Sequence, residues 1–133
     1  THRQQRIRTK RYEQLTEVSA LLFELGYLNF SPITHSYAQQ IYMSSNDTGF
    51  AAWQRNDFAY LSRCDNIMVL MLDGWDRSTG VKAELDFAKE NKIRIFYLKK
   101  AHNSDTIQIS LSPTEGFINL CPSPVKENLN ANQ

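Results

Sequence analysis

Asn66-Ile-Met-Val-Leu-Met-Leu72 holds six apolar side chains in a row with no alternation, the pattern of a strand covered on both faces. It is followed by the turn Asp73-Gly74-Trp75-Asp76, then by Ser78-Thr79-Gly80 and a segment whose Val81, Leu85 and Ala88 share one helical face. Ser78 or Thr79 caps that predicted helix, which runs to about Asn91, and Ile93-Arg-Ile-Phe-Tyr-Leu98 then reads as a second strand. Strand, helix and strand of this size form a right-handed parallel crossover. The first strand is expected at the centre of the sheet.

Upstream, Ile7, Leu15, Val18, Leu22 and Leu25 recur at threes and fours, marking a helix from about Gln4 that Gly26 terminates. Tyr27-Leu-Asn-Phe-Ser31, stopped by Pro32, reads as a strand. The polar stretch from Ser31 to Asp47 has room for a short helix around Tyr37–Met43. Asp47 or Thr48 then caps a helix to about Arg63, with Trp53, Tyr60, Leu61 and Cys64 on its apolar stripe. Downstream, Thr106–Leu111 alternates enough for an edge strand, 99–133 otherwise reads as an irregular extension, and Ser123–Gln133 reads as a frayed tail. The expected fold is one α/β domain over 1–133 with three layers and a mostly parallel open sheet. Chains of this class normally open with a strand, so the first strand is expected to be missing here or the sheet rebuilt.

With 133 residues, 41% hydrophobic and 22% charged, the chain has the size and composition of one globular domain. Fifteen Lys and Arg against 14 Asp and Glu give a net charge of +1, so no general pull on nucleic-acid polymers or anionic membranes is expected. Anion specificity must then be local. No apolar run approaches the roughly 20 residues of a membrane span, and the expectation is a soluble, cytoplasmic protein. Cys64 and Cys121 have no partner at metal-ligand spacing and read as reduced thiols, so neither a metal nor a cofactor is expected.

Two carboxylates stand out because each falls on the apolar stripe of its helix, where an ionised group is costly without a partner: Asp57 and Glu84. Glu84 lies in the second turn of its helix, near the positive end, which is expected to keep it ionised. The plainer alternative is that Asp57 pairs with Arg55, Arg63 or Arg77 and that Glu84 rides the edge of its stripe in water. Ser78-Thr79-Gly80 has the residues to present a hydroxyl and backbone N–H groups to a phosphate, or simply to cap a helix. His35 is placed in a loop beyond a strand end, as a proton donor or an ordinary surface histidine. Trp75, also in a loop, is the candidate for stacking on a base, whereas Trp53 reads as core.

Together, Trp53-Gln-Arg-Asn-Asp57, Cys64-Asp-Asn-Ile-Met-Val-Leu70, Leu72-Asp-Gly-Trp75 and Ser78-Thr-Gly-Val-Lys-Ala-Glu84-Leu85 resemble the nucleoside 2-deoxyribosyltransferase superfamily. Phe30-Ser-Pro-Ile33 and His35-Ser36 extend the resemblance, which spans about Arg11–Leu98 and is strongest to that superfamily's small, largely uncharacterised bacterial and phage branch. The resemblance implies a flavodoxin-like domain that cleaves or transfers at the N-glycosidic bond of a nucleoside or nucleotide. It assigns Glu84 as nucleophile and Asp57 as the group that orients or protonates base and sugar. It places Ser78 against a 5′-phosphate, with Gly80, His35, Ser31 and Trp75 as further substrate contacts. It also implies a homodimer or higher homo-oligomer with a small-molecule partner. A non-catalytic nucleotide-binding module on the same fold is the competing expectation.

Overall fold

The computed structural model describes residues 2–44 and 50–124. Four helices, α1 (His2–Glu24), α2 (Pro32–Gln40), α3 (Phe50–Leu61) and α4 (Thr79–Glu90), accompany four strands, β1 (Asn66–Leu70), β2 (Arg94–Lys100), β3 (Ile107–Ser110) and β4 (Ile118–Asn119). The expected cap of α3 at Asp47 or Thr48 lies outside the described residues. Among the described residues no helix is long and apolar enough to cross a membrane.

The strands form one open sheet in the order β1-β2-β3-β4. β1 and β2 are parallel, with Ile67 opposite Ile95 and Leu70 opposite Leu98, and α4 is their crossover. β2 with β3 and β3 with β4 are antiparallel. The sheet is therefore mixed, and the expectation of a mostly parallel sheet is corrected. Two short strands follow β2 through brief turns, and a brief turn can join only antiparallel neighbours. Ile107–Ser110, within the stretch expected as an edge strand, and Ile118–Asn119 accordingly belong to the sheet, β3 lying between β2 and β4 and not at an edge. β1 lies at the edge of the described sheet instead of its centre. Its unbroken apolar run reflects helices on both of its faces, which does not require a strand on both of its sides.

Alternation along the strands divides the core in two. Met68, Leu70, Leu98 and Ile109 face α1, where Val18 and Leu22 are buried with Leu98 and Ile107. Ile67 and Ile95 point to the opposite face and pack with Leu61 and Phe58 of α3 and with Ala88 and Phe87 of α4. Helix α1 ends as its sequence demands: Gly26 sits at φ 91°, its N–H donates to Phe23 O at 2.9 Å, and the Tyr27 N–H donates to Leu22 O at 2.9 Å. This pair of bonds satisfies the last carbonyls and places Tyr27 against Leu22 in the core.

The strand expected at Tyr27–Ser31 is not formed. The segment has no regular structure and pairs with no strand; its side chains bond elsewhere, the Asn29 amide donating to Ser19 O at 3.1 Å and the Tyr27 hydroxyl to the distant Cys121 O at 2.7 Å. The helix expected around Tyr37–Met43 begins earlier, because Ser31 is extended and Pro32 supplies a ready helical φ for the first turn. His35 is therefore helical and not in a loop. Tyr12 stacks on Tyr37 at 4.1 Å and the Thr16 and Thr34 hydroxyls meet at 2.8 Å, so α2 is fastened to α1.

Candidate functional site

Helices α3 and α4 pack side by side over the Ile67 and Ile95 face, and each carries one carboxyl, Asp57 and Glu84, near enough for the charge of the first to act on the second. On α3, Trp53, Asp57 and Tyr60 stand at i, i+4 and i+7, which is one helical face. Asp57 is 4% exposed and, among the described residues, has no ion-pair partner. The arginine pairing weighed as an alternative does not occur there. Burial pushes its carboxyl above the ordinary range, while Asn56, with a long 3.5 Å contact to Oδ1, and the nearby His35 imidazole pull it back.

Glu84 is half-buried in the second turn of α4. Burial first, and the Asp57 charge second, push its carboxyl up to about 7. The expectation that the helix end keeps Glu84 fully ionised is thereby corrected. Loss of hydration and a facing carboxylate outweigh the attraction of the helix N-terminus, which amounts to only about 0.3–1 kcal/mol at an ordinary site. Both causes favour the protonated form of Glu84 over its carboxylate.

His35 closes the third side. Its ring lies 6.2 Å from Trp53 and nearly perpendicular to it, 5.9 Å from Tyr60 and 5.3 Å from Phe30. Phe30 in turn stacks on Tyr60 at 4.2 Å. One turn along α2, the Gln39 amide donates to His35 Nε2 at 2.9 Å, which fixes the imidazole. Helix α2 therefore links α1 on one face of the sheet to α3 on the other. Trp53 Nε1 is buried without an acceptor among the described residues, a donor left for something else to satisfy.

The remaining candidates lie along the start of α4 and the start of α2. Ser78 is the N-cap, its Oγ accepting from the Val81 N–H at 3.3 Å, and Gly80 follows in the first turn. Ser31 precedes α2 and makes no side-chain cap, its carbonyl accepting from the His35 N–H at 3.0 Å. Trp75 opens a 3₁₀ turn, Trp75–Arg77, and its half-buried ring lies 5.6 Å from Tyr97 of β2 at a tilt of 60°. Phe30, Trp53 and Tyr60 gather around His35 as an aromatic wall. Trp53 shares one face of α3 with Asp57, four residues away.

A depression of about 190 Å³ lined by Ala59, Tyr60 and Arg63 adjoins this wall, and one of about 310 Å³ lies between Leu21, Glu24, Leu25 and Asp105. Neither is lined by Glu84 or Asp57. Residues 2–100, which hold every candidate above, match a family described as a Domain of unknown function (DUF1937). No curated protein and no solved structure matches the chain.

Proposed function

The chain belongs to the DUF1937 family, and we propose that it cleaves or transfers at the N-glycosidic bond of a nucleoside or nucleoside 5′-monophosphate, with Glu84 as nucleophile and Asp57 as acid. The observation that carries this reading is the pair itself: Asp57, buried on α3 without an ion-pair partner among the described residues, and Glu84 on the adjacent α4, raised to about 7 by burial and by the Asp57 charge. The helices on both sheet faces and the parallel β1–β2 crossover support a flavodoxin-like, three-layer arrangement, in which ligands sit beyond the carboxyl ends of the strands.

In the proposed reaction the Glu84 carboxylate attacks the anomeric carbon. The bond from that carbon to the base nitrogen breaks, its electron pair leaves with the base, and Asp57 in its protonated form gives the base a proton. Water, surrendering a proton to Asp57, or a second base then releases the sugar from Glu84. Positive charge developing on the sugar favours the ionised form of Glu84, so the carboxylate raised in the empty site is stabilised when it is needed. His35, positioned by Gln39, and the unpartnered Trp53 Nε1 are the groups available to hydrogen-bond the base or sugar.

One observation favours a second reading, a nucleotide-binding module without turnover: neither depression reaches the carboxylates. The test is to incubate the protein and Glu84→Ala with nucleosides and 5′-monophosphates, with and without an acceptor base, and to separate the products chromatographically. Base freed or exchanged by the wild type, reduced by about 10³-fold or more in the variant, is the expected result. Ligand-induced thermal shifts with no product from either protein select the binding module.

A further inference from the structure

Gly74, in the turn between β1 and α4, has φ 81°, and the space its missing Cβ leaves is flanked by two guanidinium groups. Arg11 Nη2, from the middle of α1, lies 3.4 Å from where that Cβ would stand, and Arg77 Nη2 lies 3.8 Å from it. Two positive groups far apart in sequence thus converge on one point, no farther from each other than the sum of those distances. Among the described residues neither forms an ion pair. Asp73 and Asp76 belong to the same turn, yet the recorded bond of Arg11 runs to the Asp73 backbone carbonyl, at 3.5 Å. Like charges held this close repel, and an anion between them relieves the repulsion.

The start of α4 adds to the same corner. The Ser78 oxygen already accepts from Val81, which leaves its hydroxyl proton to donate outward. The first N–H groups of the helix follow, with their positive dipole end. A planar guanidinium matches the paired oxygens of a phosphate better than an ammonium does.

We infer that Arg11 and Arg77 form a two-armed clamp for a phosphate over Gly74, which makes phosphorylated nucleosides, not free nucleosides, the substrate class. This rests on the proposed reaction at the N-glycosidic bond. The clamp would give an otherwise neutral chain a local anion preference, since α1 brings Arg11 from its basic N-terminal half to the turn after β1.

Calorimetric titration of the wild type, Arg11→Gln and Arg77→Gln with inorganic phosphate, a nucleoside and its 5′-monophosphate tests the clamp, alongside base release from the last two. The wild type should bind the monophosphate at least about 10-fold more tightly than the nucleoside, and each variant should lose about 10- to 100-fold of that affinity. Both arginines are exposed, so melting curves should stay close to wild type. Monophosphate binding unchanged in both variants overturns the clamp. Inorganic phosphate binding as tightly as the monophosphate overturns the assignment to a phosphorylated nucleoside. Base release without preference for the monophosphate overturns the clamp while sparing the glycosidic reading. Arginine-dependent monophosphate binding without any base release does the reverse.

Discussion

The cluster beneath α1 and the cluster beneath α3 and α4 press on opposite faces of the same strands, yet they bury different chemistry. Beneath α1 lie Val18, Leu22, Leu98 and Ile107, all apolar and 5% exposed or less. Beneath α3 and α4 the apolar set Leu61, Ile67 and Ala88 is bordered by Asp57 and Glu84, whose carboxyls are both pushed upward by burial. Two coupled carboxyls add nothing to stability, because each gives up hydration and repels the other. The first face holds the domain together. The second carries an electrostatic cost, and the proposed reaction is placed there.

The largest expected effect falls on the apolar face. Leu98→Ala removes a fully buried side chain and should destabilise the domain by about 2–5 kcal/mol in urea titration, by the same amount at every pH. A loss that varied with pH would erase the distinction between the faces.

On the other face, Glu84→Gln should stabilise. A carboxyl raised from 4.5 to about 7 lets the native state hold a proton that the unfolded chain has lost. Its contribution is fully present below pH 4.5 and is lost as pH rises through 7. The variant lacks that loss, so it should gain about 2–3 kcal/mol over wild type above pH 7 and show little difference below 4.5, as read from melting curves across pH. A variant less stable than wild type at pH 8 would make Glu84 a structural partner.

Smaller effects sharpen the contrast. Ser78→Ala removes the cap of α4 and should cost about 1 kcal/mol in denaturant titration. Glu17→Ala breaks the 3.1 Å pair with Lys100 and should cost less than about 1 kcal/mol, shrinking further in salt, because Glu17 is largely exposed and Lys100 still donates to Ala101 O and Ser104 O.

The apolar run of β1, the Ser78 cap and the stripe of α4 agree with one another, so the crossover was legible in the sequence. Of the antiparallel half, the alternation over Thr106–Leu111 marked β3, though not its place between two strands. β4 is two exposed residues, Ile118 and Asn119, too short to carry a period. A short helix was legible in the polar stretch of α2, but its start at Pro32 was not, since side-chain contacts to α1 hold its first turns. Asp57 and Glu84 were legible because a carboxyl on an apolar stripe is a local contradiction. Their mutual repulsion was not, since it depends on how two helices sit on one sheet. The wall of Phe30, Trp53 and Tyr60 was hidden for the same reason, as aromatic residues read as core until a carboxylate is found beside them.

The most direct measurement is the titration of the Glu84 side-chain carboxyl by carbon NMR, in the wild type and in Asp57→Asn. The account predicts a midpoint near 7 in the wild type, and a lower one, still above the ordinary glutamate range, once the facing charge is gone. A midpoint at the ordinary value, or one that ignores the loss of Asp57, would contradict the paired site.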